Sequence, residues 1–147
     1  MDFNLPADLV AYLDELDQFI AREIKPIEAA DDNIRFFDHR REHTRTDWDN
    51  NGLPRHDWEA LLAEAKRRAD AAGHFRYPFP KRFGGRDGNN LGMAVIREHL
   101  TSKGLGLHCD LQNEHAIVGN NISLLLMLEY GSPAQQALYL PRLISGE

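Results

Sequence analysis

The stretch Asp38 to Asp47 places His39, Glu42 and His43 at the spacing His-x-x-Glu-His. On a helix, that spacing sets two imidazoles one turn apart on one face, where they can hold Zn²⁺ while the carboxylate acts on metal-bound water. Such a site needs a helix beneath it and a third protein ligand, for which Glu98, Asp110 and Glu114 are the candidate acids. The stretch has the weakest helical pattern in the chain, so charged surface is the expectation and no metal site is assigned.

The other chemistry-bearing residues are weaker still. Gly84-Gly85-Arg86-Asp87-Gly88 follows no strand and lacks the glycine and lysine spacing of a phosphate-cradling loop, so it is expected to supply tight turns with positive φ. Glu114 and His115 are sequence neighbours and point in different directions on a helix, which argues against an acid/base pair and for a capping or core-edge His115. His108 and Cys109 are adjacent without an identifiable third group, so no nucleophilic arrangement can be built from spacing. No catalytic residue is assigned to this chain.

The elements that must carry these residues read as all-α. From Pro6 to about Ala30, Leu9, Leu13, Leu16, Ile20, Ile24 and Ile27 recur in steps of three and four, with Asp8 in the first turn and Pro26 forcing a kink or a frayed last turn. Residues 31 to 53 are poor in apolar positions and end in Asn-Asn-Gly-Leu-Pro, a loop with turn chemistry. Trp58, Leu61, Leu62, Ala65, Ala69 and Ala72 define a second helix, capped at Gly73. An aromatic, Pro- and Gly-rich loop follows, then a helix from Leu91 to Lys103 stopped at Gly104, and a long apolar helix from 111 to 130 ending at Gly131. Ser132, Pro133 and Gln135 are the start signals of a fifth helix. No period-two alternation of useful length appears, and the expected fold is a bundle of about five helices.

Composition narrows the class of function. A chain of 147 residues suits a single domain, and 42% hydrophobic with 27% charged residues is ordinary for a globular protein. The formal net charge is −6 with basic residues interspersed among acids, so the concentrated basic field that nucleic acid requires is missing. A single cysteine excludes an internal disulfide, the first residues lack a signal peptide's basic and apolar regions, and no apolar run spans a bilayer. The expected location is cytoplasmic.

Two blocks then look familiar together. "AGHFRYPFPKRFGG", preceded by "WEALLAEA" and followed by "NNLGMAVIREHL", and "YGSPAQQALYLPRLISGE" resemble the N-terminal α-helical domain of the acyl-CoA dehydrogenase family, in order and at comparable separation. The opening "REIKP" fits as well, while residues 31 to 53 look longer than the family's usual connection. The resemblance implies an FAD-dependent enzyme that desaturates acyl-CoA thioesters between Cα and Cβ, with flavin and base carried by a middle β-domain and a C-terminal helical domain. It implies that residues 1–147 form one α-helical domain of a larger enzyme, inactive alone, without bound FAD, bearing an exposed apolar face where the remaining domains pack, and homo-oligomeric when complete. By ungapped counting back from Gly131, it also implies that His115, Val118 and Ile122 contribute to the acyl-chain pocket wall. The alternative is a self-contained helical subunit or dimerisation module.

Overall fold

The computed structural model describes residues 4–38, 43–108, 117–118 and 122–145. The chain enters α1 (Ala7–Phe19) from Pro6, whose carbonyl accepts the Leu9 and Val10 amides at 3.0 and 3.1 Å. Leu9, Leu13 and Leu16 then fall on the buried face. The expected break at Pro26 takes a specific form. Pro26 offers no amide to the Arg22 carbonyl and its ring crowds that carbonyl, and the strain is absorbed one turn earlier. Residues Ile20–Ile24 widen into a π-helical turn in which the Lys25 amide reaches back to the Ile20 carbonyl. The helix therefore continues into α2 (Lys25–Ala29) rather than fraying at Pro26.

Left-handed Asp31 and Asp32, at φ 50° and 56°, end that run, and Asp tolerates this region better than most residues because its short side chain bonds locally. The segment expected as a loop is more ordered than its composition suggests. It holds 3₁₀ turns over Ala30–Phe37 and Trp48–Asn50 and a two-residue antiparallel pair, β1 (Thr46–Asp47) and β2 (Leu53–Pro54), with Thr46 opposite Pro54. Strands this short leave no alternation to read. Asn51 and Gly52, both left-handed, turn the chain between them.

The next two helices match their sequence signals. In α3 (His56–Ala71), Trp58, Leu61, Leu62, Ala65 and Ala69 are buried, and Gly73 at φ 80° closes the end. In α4 (Asn90–Ser102), the Asn89 side chain accepts the Gly92 amide at 2.9 Å as an N-cap. Asp17 ties α1 to α4 by accepting His99 Nε2 and Lys103 Nζ, each at 2.8 Å. The main core lies between α1, the π-turn, α3 and α4, with Leu16, Ile24, Ala69 and Ile96 wholly enclosed. Each such Leu or Ile stabilises the fold by roughly 2 kcal/mol through removal of apolar surface from water.

The last two helices correct one expectation. A single helix was expected from 111 to 130, whereas the described helix, α5, runs Ile122–Tyr130, and Ile117 and Val118 form a bend packed in the main core. The Gly131 amide returns to the Met127 carbonyl, and α6 (Pro133–Ser145) starts from a reciprocal capping box. There the Ser132 amide donates to Gln135 Oε1 at 2.9 Å, and the Gln135 amide donates to Ser132 Oγ at 3.4 Å. α5 and α6 pack against each other, and Leu124, Leu140 and Phe79 form a second small core that roots this hairpin on the aromatic loop. No helix among the described residues is long and apolar enough to cross a membrane.

Candidate functional site

The α5–α6 hairpin presents an apolar surface on two sides. A helix that is apolar all round belongs in an interior, yet only Leu124 of α5 is buried. Ile122, Leu125, Leu126 and Tyr130 follow the i, i+3, i+4, i+8 spacing of one helix face and stand 56%, 39%, 54% and 79% exposed. Leu138 and Tyr139 of α6 are exposed as well. Glu129 and Arg142 are the charged residues of these two helices. The surface can hold an apolar chain or another domain, and it carries no positioned acid/base pair.

The residues singled out from the sequence separate accordingly. Ile122 heads the exposed stripe, Val118 is buried in the main core, and His115 lies outside the described residues, as do His39, Glu42, Cys109, Asp110 and Glu114. Val118 and Ile122 do not share a helix face, because Val118 sits in the bend before α5. His43 stacks edge-on against Trp48, and no group of three metal-ligating side chains occurs among the described residues.

The glycine-rich loop is packed rather than open. Gly84 is left-handed at φ 78°. A side chain on Gly85 would strike the Phe79 backbone, and one on Gly88 would strike the Tyr77 ring. With that space already filled, the loop cannot cradle a phosphate through its glycines. Neither this loop nor the apolar stripe offers a donor set for a flavin's diphosphate.

Two polar clusters built around buried side chains escaped sequence reasoning. In the first, Tyr12 Oη and His74 Nδ1 are 3.1 Å apart, and Arg86 lies over the Tyr12 ring while its guanidinium forks onto Glu15 at 2.6 and 3.0 Å. Burial lowers His74 to about 4, and burial likewise raises Tyr12. Hydrogen bonding from Arg86 holds Glu15 below the usual carboxylate range. In the second cluster, buried Glu28 accepts the Leu107 amide at 2.5 Å and Lys25 Nζ at 2.7 Å. His108 is wholly buried, and neither of its ring nitrogens makes a hydrogen bond within geometric limits among the described residues. Burial, then the Lys25 charge, lowers its pKa against the pull of Glu28. Partners this far apart in sequence leave no local pattern. The one available signal was the presence of Glu28 on an otherwise apolar helix stripe.

No curated protein and no solved structure matches this chain. The sequence profile of the acyl-CoA dehydrogenase N-terminal domain matches residues 32–147, which includes the aromatic loop, α3, α4 and the α5–α6 hairpin. By that match over most of its length, together with a mostly helical fold, the chain belongs to the acyl-CoA dehydrogenase family as an N-terminal domain.

Proposed function

We propose that the chain is the N-terminal helical domain of an FAD-dependent enzyme that desaturates acyl-CoA thioesters, and that it acts only with the flavin-bearing and base-bearing parts of that enzyme. The exposed stripe Ile122, Leu125, Leu126 and Tyr130 carries this reading, since uncovered apolar residues at helical spacing mark a surface meant to be covered. FAD would supply hydride acceptance when bound, and in this proposal the parts of the enzyme beyond the α5–α6 wall hold it. The role of this chain is to present an apolar wall and exclude water. Ile122 is exposed and best placed to face an acyl chain or its neighbouring domain, and the family resemblance is what adds Val118 and His115 to the proposed wall. A cytoplasmic, homo-oligomeric complete enzyme is part of this proposal.

The stripe also favours a second reading, a self-contained helical subunit that dimerises through α5 and α6. Native mass spectrometry of the 147-residue chain separates the two. Dissociated chains with the stripe still reactive to a hydrophobic dye support the multidomain enzyme, and a discrete dimer with the stripe covered supports the module.

A further inference from the structure

Between the π-turn and the last turns of α3 runs an open groove of about 490 Å³, lined by Phe19, Arg22, Glu23, Arg67, Arg68, Ala71 and Ala72. We propose that this groove binds a soluble small molecule through a phosphate or diphosphate group.

The widened turn and the end of α3 bring Arg22, Arg67 and Arg68 to one place against Glu23, which also lies 3.5 Å from Arg68, and against Glu64 beside the groove, a local excess of positive charge on a chain of net charge −6. The internal ion pairs leave donors unspent. Arg22 uses Nε on Glu23 at 2.9 Å and keeps both terminal nitrogens. Arg67 spends Nε and Nη2 on Glu64, each at 2.8 Å, which leaves Nη1. Arg68 spends Nε on Glu64 at 2.7 Å and Nη1 on the Glu23 backbone carbonyl at 3.0 Å, which leaves Nη2. The bond to the Glu23 carbonyl ties the π-turn to α3, so the groove is held by a side chain rather than left to helix packing.

Unspent guanidinium donors on two separate elements suit a tetrahedral anion with three or more acceptor oxygens better than a planar carboxylate. Phe19, Ala71 and Ala72 add apolar lining for the body of the molecule. The positive charge is confined to one groove on a chain that is net negative, which suits a small anion seated in the groove better than an extended anionic bilayer. None of these residues belongs to the α5–α6 surface, so this site stands or falls independently of the proposed enzyme.

The experiment titrates the full chain with inorganic pyrophosphate at constant ionic strength and follows backbone amide resonances. Saturable shifts confined to the segments around Glu23 and from Arg67 to Ala72 are expected. Arg22→Gln combined with Arg67→Gln should weaken binding about tenfold or more, and both side chains are largely exposed, so the fold should tolerate the change. Arg22→Lys combined with Arg67→Lys keeps charge but loses the fork, and should fall between. Shifts that never saturate, an unchanged affinity in the Gln variant, or binding to phosphatidate vesicles without binding to pyrophosphate would each overturn the proposal.

Discussion

Tyr12 and His74, 62 positions apart, meet through a 3.1 Å hydrogen bond that fastens α1 to the loop leaving α3. His74 is enclosed against Phe19 and Tyr12, and burial keeps its imidazole neutral with a pKa of about 4.

Stability should consequently fall with acid before the carboxylates matter. A histidine whose folded pKa lies below its unfolded value of 6.5 contributes stability above 6.5 and loses it as pH drops toward about 4. His108 is shifted in the same direction and adds to the slope. Urea melts at pH 7.5, 5.5 and 4.5 should show a progressive loss, bounded for His74 at roughly 3 kcal/mol. His74→Leu should lower stability at pH 7.5 yet flatten the slope. A further decline below pH 4 belongs to the carboxylates that the fold holds low: Glu15 and Glu64 through hydrogen bonds from arginines, and Asp17, where burial is outweighed by hydrogen bonds from Lys103 and His99.

Glycines in the aromatic loop should differ sharply from the one after α4. Gly85→Ala drives a methyl group into the Phe79 backbone and should destabilise by roughly 3 kcal/mol. Gly104→Ala meets open space and incurs only its left-handed φ of 86°, roughly 1 kcal/mol. Thermal denaturation of the two variants gives the comparison.

Glu28→Ala should cost roughly 2 to 3 kcal/mol, because it leaves the buried Leu107 amide without its acceptor. Hydrogen exchange checks the mechanism, since the Leu107 amide should lose protection more than amides in α3.

Substitutions on the two faces of the helices should behave oppositely. Leu16→Ala empties an enclosed site and should destabilise by about 2 to 5 kcal/mol. Leu126→Ser, on the exposed stripe, should leave the melting temperature of this chain nearly unchanged. In the complete enzyme the same substitution should reduce acyl-CoA turnover or flavin retention, measured by dye reduction and by visible absorbance.

The sequence revealed what local chemistry determines. The stripe from Leu9 to Ile24, the stop at Gly73 and the Ser132/Gln135 capping box each rest on residues within a few positions of one another, and each is present in the structure. The π-turn was legible only as a disturbance at Pro26, because the proline fixes that a bond is lost but not which turn absorbs the loss. The apolar run before Gly131 misled for a related reason. Periodicity continues through Val118 and Ile122, yet Val118 packs into the main core from a bend while Ile122 lies exposed on α5. Contacts such as Glu28 with Leu107, 79 positions apart, depend on tertiary packing and have no sequence period. The expectation of an exposed apolar face, and Ile122 as a wall residue, came from the family resemblance, whereas Leu125, Leu126 and Tyr130 came only from the structure.

The central claim is that this helical domain supplies a wall and lacks the means to hold flavin or remove a proton. The most direct test is the visible absorbance and acyl-CoA oxidation of the purified 147-residue chain supplied with FAD. The account predicts no bound flavin after gel filtration and no thioester desaturation. A yellow chain that retains stoichiometric flavin and desaturates an acyl-CoA would contradict it.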